Sequence, residues 1–188
     1  MAYFTEDQAR SIIRETYAQV RSDDAAVAEA FYSAEELKRL PRGVVELALG
    51  VGHPLAHARL APGETVLDLG CGAGIDTLLA ALAVGPAGRA IGLDMTPAMV
   101  ERTRAHADQM GLRNVEVIEA LLEQVPLPDG SVDVAVSNGV LNLATRKSRV
   151  LAEALRVLKP GGRLSIVDLV LDKALPEEVL KSPAALAG

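Results

Sequence analysis

Thr65-Val66-Leu67-Asp68-Leu69-Gly70-Cys71-Gly72-Ala73-Gly74-Ile75-Asp76 decides the fold of this chain. An apolar run of strand type ends on an acid, breaks into Gly-x-Gly-x-Gly and opens a helix. The layout sets bare backbone N–H groups beside a carboxylate at the carboxyl end of a strand, where open α/β sheets bind nucleotides. Working outward, strands are expected at 65–69, 88–94, 114–119, 131–137 and 162–170. Helices are expected at 75–84, 97–110 and 146–158, the last closing on Lys159-Pro160-Gly161-Gly162. Strand alternating with helix implies an α/β, doubly wound, mostly parallel sheet with right-handed crossovers.

The glycine spacing also points to a ligand. A dinucleotide fold needs Gly-x-Gly-x-x-Gly so that a pyrophosphate can rest on the helix N-terminus. Here that third position is Ile75, and the glycine comes one residue early at Gly74. Asp68, two residues before Gly70, repels a pyrophosphate and welcomes an ammonium group. A nicotinamide-dependent oxidoreductase is therefore disfavoured. S-adenosylmethionine, with an amino-acid end, a sulfonium and no phosphate, suits the loop. Asp94 in Ile91-Gly92-Leu93-Asp94-Met95 ends the second strand, where a carboxylate can accept hydrogen bonds from both ribose hydroxyls.

Bulk properties narrow the class. At 188 residues the chain suits one domain with a full core, and 49% of it is apolar. A net charge of −6 with scattered Lys and Arg gives no attraction to phosphate backbones, so no nucleic-acid partner is expected. One cysteine excludes an internal disulfide and a cysteine metal cage; no metal is expected, and the cytoplasm is the expected compartment. Met1 to Arg10 lacks the apolar core of a signal peptide, and no run reaches bilayer-spanning length, so no membrane partner is expected.

Residues 1–60 read as an N-terminal helical cap, and 61–188 as the S-adenosylmethionine-binding domain. A helix over 5–21 has Thr5 as N-cap and Gln8 at the capping-box position. A second stretch over 24–40 is interrupted near Ser33 and closed by Pro41-Arg42-Gly43. Short pieces fill 44–60, with Pro54 starting a helix to Leu60. After the strand at 162–170, Pro176 and Pro183 leave room for one short helix at 176–182. That strand would form a bare apolar edge, which proteins seldom leave exposed. A homodimer through the 162–170 edge, or a longer parent chain, is the expectation.

The stretch 66–74 resembles the first motif of class I S-adenosylmethionine-dependent methyltransferases, which implies their Rossmann-like fold, here with C-terminal strands apparently missing. The resemblance implies cofactor binding by Asp68, Gly70, Cys71, Gly72, Gly74, Asp94 and Met95. An acid that commonly follows the third strand and holds the adenine amino group is Leu121 here, leaving backbone groups of Leu121 and Leu122 for the adenine edge. Ser137 and Asn138 begin the segment that lines the methyl-transfer site, and it is not the Asn-Pro-Pro-Tyr motif of base methylation. Five stretches resemble the arsenite methyltransferases: Phe31–Leu37, Leu49–Pro54, Gly92–Thr96, Val125–Asp133 and Ser137–Leu143. That subfamily holds arsenic with cysteine thiolates, at positions occupied here by Val51 and Gly139, and at one beyond Gly188. The resemblance therefore implies a methyltransferase acting on a small acceptor other than arsenite, with His53 and Asn138 as catalytic candidates. The alternative is a catalytically inactive cofactor-binding or interaction protein. Tyr32 reads either as a cover for the cofactor or as a core aromatic, and His106 as a surface residue.

Overall fold

The computed structural model describes residues 3–21 and 24–186, so the outermost residues of both expected domains and residues 22–23 lie outside the described residues. The chain opens with α1 (Glu6–Gln19), whose Thr5 hydroxyl and Gln8 side chain form the expected capping box. The next expected helix is split: α2 (Ala26–Phe31) ends at Tyr32, and Ser33 starts a second capping box for α3 (Ala34–Leu37). Two short turns follow, α4 (Arg42–Glu46) and α5 (Leu55–Ala58). Pro54 is the N-cap of α5 rather than its first residue, and the helix stops before Leu60 because Arg59 turns left-handed at φ 51°.

The regular part runs β1 (Thr65–Leu69), α6 (Ile75–Val84), β2 (Arg89–Asp94), α7 (Pro97–Gln109), β3 (Val115–Glu119), β4 (Val132–Asn138), α8 (Lys147–Val157) and β5 (Leu158–Val167). All four strand pairs are parallel, in the order β3-β2-β1-β4-β5. The order reverses direction between β1 and β4, which makes the carboxyl ends of these strands the topological switch point. Val66, Ala90, Val134 and Val136 face α6, while Leu67, Leu69, Ile91 and Leu93 face the layer holding α8. Burying a side chain such as Leu67 contributes about 2 kcal/mol. The cap shares a core with the sheet layer: Ala28, Tyr32, Leu40 and Val44 pack with Ile75, Leu78 and Ala107.

The last strand departs from expectation at both ends. Leu158 already pairs with Val132, and the register then jumps to Val134 opposite Arg163, so Lys159–Gly162 bulge out with Gly161 at φ 80°. The strand ends at Val167, three residues early. The Asp168 carboxylate accepts the N–H groups of Leu169 and Asn142 and pulls the chain off the ladder. β5 is one edge of the sheet, with β3 at the other, and Leu169, Val170 and Leu171 beyond β5 are exposed. The short tail forms α9 (Glu177–Leu180) and α10 (Pro183–Leu186), the latter against α1. No helix among the described residues is long and apolar enough to cross a membrane.

Candidate active site

A crevice of about 1040 Å³, part of it open to solvent, lies over the carboxyl ends of β1, β2 and β4. Its floor is the glycine loop. Gly70 at φ 82° has no room for a side chain, since a Cβ there would meet the Val140 methyls at 2.5 Å. Gly74 at φ 101° starts α6, and its Cβ would meet Thr103 at 2.8 Å. Gly72 differs: a Cβ there would meet nothing within 4 Å.

The loop is tied down by its own amides. Gly70 and Cys71 N–H both donate to the Leu93 carbonyl, at 2.7 and 3.0 Å, and Gly74 N–H donates to the Cys71 carbonyl. Gly72 N–H donates to Asp94 Oδ2 at 3.0 Å. The bare N–H groups expected at these four positions are thus spent on folding. Thr103 Oγ1 and His106 Nδ1 hold the Gly72 and Ala73 carbonyls from α7, which removes His106 from the free surface.

Three aspartates border the crevice, with Glu123 as a fourth carboxylate on its wall. Asp68, 3% exposed, is the next-to-last residue of β1 and accepts the Thr77 hydroxyl at 2.6 Å. Asp76, also 3% exposed, lies in the first turn of α6, accepting from the Tyr32 hydroxyl at 2.9 Å and from Asn138 Nδ2 at 3.0 Å. Asp94 accepts the backbone N–H groups of Gly72 and Thr96, while Thr96, the N-cap residue of α7, makes no side-chain cap bond of its own. Burial pushes Asp68 up to about 8, reinforced by the nearby Asp76 charge. Asp76 is raised to about 6 by burial, against the opposing hydrogen bonds from Asn138 and Tyr32. Asp94 is raised by burial, opposed by the two backbone N–H groups.

Of the residues singled out from sequence, Asp68, Gly70, Cys71, Gly72, Asp94, Met95, Leu122 and Asn138 line this one crevice. Gly74, Leu121, Ser137 and His53 are not on its wall. Gly74 is committed to the helix cap and Leu121 is half-buried. Ser137 turns its hydroxyl to the Leu69 carbonyl. His53 bonds Glu36 through Nε2 at 2.9 Å and packs on the Tyr32 ring at 4.4 Å. Cys71 borders the crevice, but its sulfur is buried 3.9 Å from the Thr103 hydroxyl, and burial pushes the thiol up. Tyr32 is a core residue, off the wall, and burial followed by the Asp76 charge pushes its hydroxyl up. No group of three or more metal-ligating side chains occurs among the described residues.

Sequence reasoning missed the roof and one acid. Arg10, Ile13 and Tyr17 of α1 and Leu47–Gly50 after α4 line the crevice. Nothing local marks those positions, because helix spacing reports only that a face is buried. Asp76 carried a signal: it is the single charge in a helix whose residues Ile75–Ala81 are all buried.

Residues 60–187 match the family described as a methyltransferase domain. The chain belongs to that family, the class I S-adenosylmethionine-dependent methyltransferases. Within it the chain is similar to arsenite methyltransferases. It is 45% identical over 157 residues to the one of Halobacterium salinarum, covering 84% of this chain and 40% of that protein. It is 41% identical over 135 residues to that of Aquipseudomonas alcaligenes, covering 68% and 39%. The crystal structure of an arsenic(III) S-adenosylmethionine methyltransferase from Chlamydomonas reinhardtii superposes with a TM-score of 0.69 at 38% identity, covering 80% of this chain and 52% of that one. The chain spans about two fifths of the length of these curated relatives.

Proposed function

We propose that this chain binds S-adenosylmethionine in the crevice and transfers its methyl group to a small acceptor other than arsenite. One observation carries the reading: Asp68 and Asp94 flank the glycine loop, both raised by burial, with no cation among the leading influences on either. Burial without a cation drives a carboxylate toward its neutral form, and a ligand with an ammonium and a sulfonium supplies the cation that favours the charged form. Asp94 takes the ribose hydroxyls through its remaining lone pairs, Met95 and Leu122 hold the adenine, and Asp68 faces the ammonium. Gly72 leaves room for the ligand to lie against bare backbone. Transfer is then an in-line displacement that depends on holding the acceptor against the methyl carbon.

Arsenite is a poor fit to this crevice because the one thiol on its wall, Cys71, keeps its sulfur buried. Val51 and Gly139, where the arsenite enzymes carry cysteines, face each other, with Val51 methyls 3.3 Å from the Cβ position at 139. That same loss of thiols favours a second reading, a cofactor-binding protein without turnover. Titration calorimetry with S-adenosylhomocysteine tests the site. Asp68→Asn and Asp94→Asn should each weaken binding by about tenfold or more, in line with losing a charged hydrogen bond, and unchanged affinity in both refutes the assignment. Tritium transfer from labelled cofactor then separates an enzyme from a binding protein.

A further inference from the structure

The crevice wall combines an apolar stretch with a few polar side chains. Val44, Leu47, Ala48, Leu49, Val140 and Leu143 make the apolar stretch. Asp76 and Asn138 are among the polar side chains of the same wall, as is Asp68 next to the loop. Asn138 has little left to offer a ligand: its Oδ1 accepts the Val51 N–H at 2.9 Å, and its Nδ2 faces the Gly52 carbonyl, the Tyr32 hydroxyl and Asp76 within 3.1 Å. The single Tyr32 hydroxyl proton goes to Asp76. Asp76 is therefore held by two donors on the protein side, while its spare lone pairs border the crevice.

Resting on the methyltransferase reading above, we propose that Asp76 is the proton acceptor of the transfer step, and that the methyl acceptor presents an N–H or O–H nucleophile on an apolar body. Tyr32 and Asn138 are positioning residues that aim the carboxylate. In the step, the nucleophile's lone pair forms a bond to the methyl carbon as the carbon–sulfur bond breaks. The bonding pair returns to sulfur, leaving a neutral thioether. The N–H or O–H proton passes to an Asp76 oxygen, so the positive sulfonium and the negative carboxylate are both discharged. A lone-pair acceptor such as a thioether or a metalloid releases no proton and has no use for this carboxylate.

The surroundings fit that task. A purely structural group here needs only to accept two hydrogen bonds, which an amide oxygen does without the cost of burying a charge. The charged or titratable groups facing Asp76 are Asp68 from β1, Tyr32 beyond α2, and His53 and Glu36 from the cap, with Asn138 from β4 as the neutral donor. Burial dominates and lifts Asp76 to about 6, close to the working pH at which a general base is most effective.

The test uses the whole chain with tritiated S-adenosylmethionine and four probes: catechol, 2-naphthol, 2-phenylethylamine and, as the acceptor without a proton to lose, dimethyl sulfide. Transfer to at least one protic probe is expected. Asp76→Asn should lower that rate by about a hundredfold or more, the usual weight of a general base, while S-adenosylhomocysteine affinity stays within about threefold, a change of under 1 kcal/mol. The wild-type kcat/KM, which reports the free enzyme's base, should fall with acid below about pH 6. Tyr32→Phe, which removes a donor to the carboxylate, should move that limb to higher pH. If Asp76→Asn does not fold, the wild-type limb and its displacement in Tyr32→Phe still decide. Labelling of dimethyl sulfide alone, of no probe, or of a protic probe with neither the acid limb nor its displacement overturns the proposal. Failure of S-adenosylhomocysteine to bind the wild type instead overturns the cofactor reading beneath it.

Discussion

The two walls of the crevice are built from different spans of chain. On the loop wall the ties are local: Thr77 to Asp68 crosses 9 residues, Gly72 to Asp94 crosses 22, and Thr103 to Gly72 crosses 31. On the opposite wall Tyr32 to Asp76 crosses 44, Asn138 to Gly52 crosses 86, and Asn138 to Tyr32 crosses 106. One wall is a turn that packs onto its neighbouring strand. The other exists only after the N-terminal cap has closed on the sheet. The first should fail through backbone geometry and the second through orphaned polar groups.

The sharpest contrast lies within the loop wall. Gly70→Ala forces a Cβ onto Val140 at 2.5 Å at a φ of 82°, combining overpacking with backbone strain. The expected loss is about 3 kcal/mol in urea-monitored unfolding, with S-adenosylhomocysteine binding abolished. Gly72→Ala, at a φ of 52° with nothing within 4 Å, should cost about 1 kcal/mol and act on binding instead. Equal losses would show that the loop is not pinned by Val140.

On the opposite wall, Asn138→Ala strips the donors from Asp76 and the Gly52 carbonyl and the acceptor from Val51 N–H. An unsatisfied buried group costs about 1–3 kcal/mol, and water admitted to the gap recovers part of it, so about 2 kcal/mol is expected by urea titration. The cap should loosen first. Hydrogen exchange at Val51 should therefore accelerate while the amides of β1 stay protected, and uniform acceleration would erase the distinction between the walls.

This division explains what the sequence revealed. The loop, the acid ending β2 and the parallel order follow from consecutive residues, because a strand, a tight turn and a helix start each leave a short pattern. The Asp76–Tyr32–Asn138 cluster leaves only the lone charge of α6, since its members come from α6, the end of α2 and the end of β4. Expecting free loop amides failed for a related reason. A Gly-x-Gly-x-Gly pattern reports backbone freedom, and the partners of the freed N–H groups are set by β2, which brings the Leu93 carbonyl beneath them. The early end of β5 was hidden because Leu169–Leu171 continue the apolar run, while the Asp168 carboxylate terminates the ladder.

The walls also differ in how acid affects them. Asp68 and Asp76 hold protons in the folded chain up to about pH 8 and 6, whereas unfolded aspartates release them near 4. Between those limits the folded state binds more protons, so stability falls as pH rises from about 4 to 8. Glu36, Asp133 and Glu153, each lowered by hydrogen bonds in the fold, act the other way and withdraw their support below about pH 4.5. Urea midpoints should thus be highest on the acid side of neutrality. Asp76→Asn should flatten the slope below pH 6 by about 1–2 kcal/mol across the range and leave the Asp68 portion above it. A midpoint that rises from pH 5 to 8 in the wild type contradicts the burial of this pair.

The smallest effect concerns how α1 is fastened across both walls. Arg10 reaches Glu123, beyond β3, at 3.4 Å, and the Glu123 carboxylate also accepts the Thr145 hydroxyl after β4. Glu6 meets Arg146 at 2.6 Å, and both side chains are largely exposed. Exposed pairs contribute about 0.2–1 kcal/mol and are screened by salt. Glu6→Gln should therefore lower the urea midpoint only slightly at low ionic strength and not at all in about 0.5 M salt, with S-adenosylhomocysteine affinity unchanged. Glu123→Gln weakens the half-buried tie over the crevice and should instead speed ligand dissociation. If Glu6→Gln changes dissociation as much, the roof is held from its solvent side and the Glu123 junction is not what joins the two walls.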